Sequence, residues 1–189
     1  MNMIKERTKQ EIQAKLMSMG DYVKIDYLGR ALNSGLDFET RKFILLELSR
    51  LYEGRGMYSE AGKLMKNAAE INTTFKGKTQ DYMKSVEMHI KGGDYMSADN
   101  VFAQALALAT EIEKPGLKGM MKGFYFTQAQ AYTRADKRNQ AKKAYEKLAS
   151  LDLNAQEKQD VNKELMALYG RLGNIRDFYK VRDSLSAGH

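Results

Sequence analysis

The residues best suited to chemistry in this chain fall into four small groups. Gly77-Lys78-Thr79 has the order found at the end of a phosphate-binding loop, where backbone N–H groups cradle phosphate and a lysine reaches it. That loop also needs a glycine five residues before the second one, where Asn72 stands, and a preceding strand, where the pattern is helical. The tripeptide is therefore expected to be an ordinary connection between helices. Gly116, Gly119 and Gly123 lack the dinucleotide-binding spacing and are expected to pack closely against a neighbouring helix. The histidines are His89 and His189, and there is no cysteine, so no zinc set, disulfide or thiol nucleophile can be assembled. His89 is expected to be partly buried and hydrogen-bonded. Glu111/Glu113 and Glu39/Glu47 have the side chains for acid–base work, but nothing around them suggests a shaped site, so solvated charge is expected. The reading is of a protein that is not an enzyme and holds no cofactor or metal.

Apolar residues at helical spacing define the elements that position everything else. A first helix is expected from Met3 to Met19, with Ile4, Ile12, Leu16 and Met19 on one side. Gly20 ends it, and Asp21 can cap a second helix that Asn33-Ser34-Gly35 breaks. Further helices are expected over Phe38–Glu53, from about Ser59 to Ile71, Gln80–Lys91, Met96–Ala109, Leu117–Arg134, Asn139–Leu151, Ala155–Leu172 and Ile175–Leu185. Glu111 to Lys118, which holds the only proline, Pro115, is expected to be irregular, and Ser186–His189 to be a frayed tail. Turn residues fall at Gly20, Gly56, Gly93, Asp136 and Gly173, which are 36, 37, 43 and 37 residues apart. Three of them are followed two residues later by Tyr22, Tyr58 or Tyr95. Recurrence at such a period marks a helical repeat, with an insertion around Pro115.

On these residues the chain resembles the tetratricopeptide repeat family. The second unit matches with Leu45, Leu48, Tyr52, Gly56, Tyr58, Ala61, Met65 and Ala68. The third matches with Tyr82, Gly93, Tyr95, Ala98, Phe102 and Ala105, and the fourth with Tyr125, Ala129, Tyr132, Ala141, Tyr145 and Leu148. The terminal units depart, with Ile25 and Phe178 for the small alanine and Gly29 and Arg182 for the aromatic; terminal repeats meet solvent on one face. The resemblance implies an all-α superhelix, or solenoid, of about five antiparallel hairpins. It forms a single domain over 1–189, with units near 3–35, 36–74, 75–110, 111–154 and 155–185.

The resemblance also implies a concave groove lined by the first helix of each hairpin. By position that groove presents Phe43, Leu46, Arg50 and Glu53, then Met83, Glu87 and Ile90, then Phe126, Gln130 and Thr133, and finally Lys163 with Ala167. An extended or helical segment of a partner protein could bury its apolar members. The positions that clamp a terminal carboxylate in the family's chaperone-tail binders hold Leu46, Arg50 and Lys84, an incomplete clamp.

Composition is that of a soluble globular chain, with 43% hydrophobic and 29% charged residues. There is no long apolar run for a membrane span and no apolar leader after the first residues, which points to the cytoplasm. The net charge of +7 is spread among 24 acidic residues. Lys137, Arg138, Lys142, Lys143 and Lys147 are read as a basic strip, without the interleaved aromatics that stack single strands. The expected role is a scaffold that binds another protein. RNA or a ribonucleoprotein at the basic strip is the alternative, and self-association through a terminal hairpin a third.

Overall fold

The computed structural model describes residues 4–186. Those residues form ten helices: α1 (Lys9–Leu16), α2 (Asp21–Leu32), α3 (Phe38–Gly54), α4 (Tyr58–Ile71), α5 (Phe75–Lys91), α6 (Tyr95–Leu108), α7 (Lys114–Arg134), α8 (Arg138–Ala149), α9 (Ala155–Leu172) and α10 (Ile175–Ser186). They contain no strand, and neighbouring helices pack on one another. The chain divides into two compact units, Met1–Pro115 and Gly116–His189.

Four helix ends share one backbone device. Gly56, Gly93, Asp136 and Gly173 all have left-handed φ, at 72°, 75°, 50° and 69°. The N–H of the following residue returns to a carbonyl five residues back: Met57 to Tyr52, Asp94 to His89, Lys137 to Tyr132 and Asn174 to Tyr169, each at 2.9 Å. A second bond joins each left-handed residue to the carbonyl three back, Gly56 to Glu53 for example at 3.0 Å. This is the Schellman arrangement, which satisfies carbonyls a helix end would otherwise leave bare. Gly20 differs: its φ is −74°, and it serves as the N-cap of α2.

The side chains between these turns explain the packing. Ala61, Ala98 and Ala141 are fully buried, and Tyr125 and Tyr145 fill the core of the second unit. In the first unit two serines tie helices together: Ser49 donates to the Ala61 carbonyl at 3.0 Å and Ser85 to the Gly62 carbonyl at 2.7 Å. A hydroxyl bonded to a backbone oxygen lets a small polar residue sit inside a core at little cost.

Local chemistry moves several expected boundaries. The first helix begins at Lys9, because Thr8 and Glu11 form a reciprocal capping box; Met3 lies outside the described residues. The fifth begins at Phe75, five residues before the expected start. There the Thr74 hydroxyl accepts from the Gly77 N–H at 3.1 Å, so Gly77-Lys78-Thr79 occupies the first turns of a helix instead of a connection. The seventh begins at Lys114 and contains Pro115, which is tolerated where no intrahelical N–H bond is needed. The irregular stretch is thereby reduced to a turn in which the Thr110 N–H and hydroxyl donate to Glu113 at 2.9 and 2.8 Å. Of the expected tail, residues 187–189, His189 included, lie outside the described residues.

Candidate functional site

Each unit has an open cleft, and a phenylalanine expected on the binding face lines each. In the first unit a cleft of about 460 Å³ lies among α1, α2 and α3. Leu16, Met17, Phe43 and Leu51 give it apolar wall, and Asp21, Lys24, Glu47, Arg50 and Arg55 give it charge. Met17 stands at its rim, 87% exposed. The Arg55 guanidinium stacks 3.6 Å from the centre of the Tyr22 ring, and Lys9 Nζ lies 5.7 Å from that of Phe43. Such stacking orients a cation while leaving its hydrogen-bonding edge available.

In the second unit a cleft of about 290 Å³ is walled by Phe126, Leu148, Leu153 and Val161. Its floor is Gly119 and Gly123, where an added Cβ would meet nothing within 4 Å. The expected close packing of these glycines is thus replaced by open space. Lys122 and Glu157 close one side with an ion pair at 2.7 Å, and Phe126 meets Tyr145 edge-on at 6.5 Å.

The remaining expected groove residues divide by burial. Met83 is 2% and Ile90 0% exposed, so both are core residues, a correction to their expected place on the open face. The reason lies in α5, which packs against both α4 and α6 and buries seven of its residues. From Tyr82 onward, what α5 keeps at partial exposure is Lys84, Glu87 and Lys91, one helical stripe. This stripe is tied to Glu53 of α3. Lys91 lies 3.0 Å from Glu53 and 2.7 Å from Glu87; Lys84 lies 3.5 Å from Glu53 and 3.1 Å from Glu87. Burial pushes the Glu87 carboxyl up, but hydrogen bonds and charge from Lys91 and Lys84 outweigh it and hold the group below its ordinary range. Glu53 therefore links α3 to α5 across the intervening α4, while Glu87 holds the two lysines from within α5. Leu46 and Gln130 are half-buried and Arg50 is exposed. The Thr133 hydroxyl donates back to the Ala129 carbonyl at 3.0 Å, and Lys163 faces solvent beside Asp160 at 3.9 Å.

The basic strip is not continuous. Lys142 follows Arg138 by one helical turn and Lys147 follows Lys143, which gives two rows on different flanks with Glu146 between them. Arg138 is paired with Asp136 at 2.8 Å. Glu146 accepts a hydrogen bond from the Tyr169 hydroxyl at 2.9 Å.

His89 is buried, and its Nδ1 has no hydrogen-bond partner, which corrects the expectation of a hydrogen-bonded histidine. The Asp94 carboxylate is 3.6 Å away, beyond hydrogen-bond distance, and is engaged with the Ser97 N–H. Burial pushes the imidazole below the ordinary histidine value, with Asp94 opposing only in part. Among the described residues no group of three or more His, Cys, Asp or Glu could hold a metal ion, and no helix is long and apolar enough to cross a membrane.

Sequence reasoning missed Met17, Lys24, Leu51, Arg55, Leu148, Leu153 and Val161. Each cleft is assembled from three consecutive helices whose lining residues spread over about 40 positions, and the Tyr22–Arg55 stack spans 33 positions with no local pattern to announce it. No protein-family model and no curated protein matches the chain. Among solved structures it is similar to the crystal structure of BtubC (BKLC) from P. vanneervenii, at 14% identity over 94% of this chain and 72% of that one, with a TM-score of 0.39. At that level of likeness, function is argued from the chain's own residues.

Proposed function

We propose that this chain is a non-catalytic, tetratricopeptide-like scaffold that binds segments of another protein through open clefts on its units. The observation that carries the reading is the placement of Phe43 and Phe126, large apolar side chains lining solvent-open clefts with charge at the rim. Apolar anchors ringed by polar groups are the usual make-up of a protein-binding hot spot. The four left-handed turns at repeat spacing support the likeness to tetratricopeptide units, in which each helix pair offers one binding face.

Affinity purification from native lysate, with and without nuclease, tests the reading when run beside the Phe43→Asp/Phe126→Asp double variant. A partner kept after nuclease and lost by the variant, at unchanged circular dichroism, is expected. Loss of every partner on nuclease treatment, or full retention by the folded variant, would overturn the proposal. Self-association is the competing reading. It is favoured by α10, which has no buried residue and exposes Ile175 and Tyr179. A monomeric mass by light scattering at high concentration would remove it.

A further inference from the structure

The positive charge of this chain is distributed very unevenly. Met1–Pro115 holds 17 basic and 16 acidic residues, whereas Gly116–His189 holds 14 basic and 8 acidic, so six of the seven net charges belong to the second unit. Many charges of the first unit are also engaged across helices, as in Lys42–Asp81 at 3.1 Å and the Glu53–Lys91 pair.

Within the second unit the cations gather at one edge. The α7–α8 turn carries Arg134, Lys137 and Arg138, and the α9–α10 turn carries Arg171 and Arg176; all five are exposed. Topology makes the two turns neighbours. Helix α8 packs on α9 after a short connection, so the start of α8 lies beside the end of α9. The electrostatics agree: Arg138, by hydrogen bond and charge, and then Arg171 hold the Asp136 carboxyl below its ordinary range. The acidic groups facing the edge are occupied, Asp136 by Arg138 and Asp177 by the Asn174 amide at 2.7 Å. Arg134, Lys137, Arg171 and Arg176 make no ion pair among the described residues.

From this juxtaposition we infer that the turn edge of the second unit holds the phosphate backbone of an RNA strand. Apart from the clefts used above, this edge offers almost no apolar surface: Ile175 is its one large exposed aliphatic side chain. An acidic protein segment would find few anchors there, whereas a phosphodiester chain needs only cations, and arginine meets phosphate with paired donors. The exposed amides of Asn139 and Gln140 stand beside the cations at the start of α8, placed to meet ribose 2′-hydroxyls. Without aromatic stacking, binding is electrostatic and indifferent to base sequence.

The test uses the full chain and a labelled 20-nucleotide poly(U) RNA, with affinity read by fluorescence anisotropy between about 50 and 200 mM salt. Log affinity should fall linearly with log salt. The triple variant Arg134→Gln/Arg171→Gln/Arg176→Gln should lose about tenfold in affinity and about two in slope. A charge-matched control, Lys15→Gln/Arg41→Gln/Lys63→Gln in the first unit, should change affinity by less than about twofold. The substituted side chains of the triple variant are exposed, so its circular dichroism should match that of the parent. The inference is overturned by no binding at low salt, by equal losses in the two triple variants, or by tighter binding of polyglutamate. A DNA strand that binds as tightly would overturn the assignment to RNA. None of these outcomes depends on Phe43 or Phe126, so failure here leaves the protein-binding proposal standing.

Discussion

Gly62 and Gly123 both lie within helices, where glycine costs about 1 kcal/mol relative to alanine. Substitution should nevertheless move stability in opposite directions. A Cβ at Gly123, or at Gly119, meets open space, so each alanine variant should gain about 1 kcal/mol in urea unfolding. A Cβ at Gly62 would fall 2.8 Å from His89 Nε2 in a filled core, so Gly62→Ala should lose roughly 1–2 kcal/mol net. If Gly123→Ala proved destabilising, the cleft would be narrower than its geometry indicates. His89 makes a second prediction. Its folded pKa is depressed, so the unfolded chain binds the extra proton. Its contribution is present above the ordinary histidine value and is lost as pH falls through that value toward the folded one. Urea midpoints should decline from pH 7 to pH 5 in the parent and stay nearly flat in His89→Gln. Carboxylates held below their ordinary range, such as Glu87 and Asp94, act only at lower pH. At this scale the sequence was legible for size, as with Ala61 and Ala98, and illegible for empty space. The surroundings of Gly119 and Gly123 come from Leu148 and Leu153, more than 20 positions away.

Among the elements, the left-handed turns are where local sequence determines most. A side chain in that conformation costs about 1–2 kcal/mol, so Gly56→Ala, Gly93→Ala and Gly173→Ala should each destabilise by about that amount. Asp136 already bears a side chain there, and Asp136→Gly should be neutral or stabilising by up to about 1 kcal/mol, since the exposed Arg138 pair contributes little. Thermal melts of the four variants would decide it, and uniform losses at all four would contradict the shared geometry. These turns could be read in advance because glycine followed by a helical pattern has few other uses. The groove register could not, because α5 has neighbours on both sides. Met83 and Ile90 share sequence positions with residues left open elsewhere, yet tertiary contact buries them. Pro115 and Gly77 misled for the opposite reason: both are breakers inside a helix but acceptable in its first turn.

Over the whole molecule, the division at Pro115 implies that the two units can lose structure separately. Gly62→Leu, which overpacks only the first unit, should open amides of residues 4–110 to hydrogen exchange while those of 120–185 keep their protection. Simultaneous loss in both would show one cooperative block. Fold class was legible because ten helices follow from periodicity and turn chemistry, each readable within a dozen residues. The charge asymmetry could be counted from the chain, but its meaning depended on knowing where the units part.

Met17 brings a different chemistry to the mouth of the first cleft. Its thioether is open to solvent, whereas those of Met65, Met83 and Met88 are enclosed. Peroxide would therefore attack Met17 well before the core, converting an apolar rim group into a polar sulfoxide while leaving the fold intact. A segment seated in the cleft would cover that sulfur. The rate at which Met17 gains oxygen is thus a built-in gauge of whether the cleft is filled, and its oxidation would be a way to weaken that occupancy.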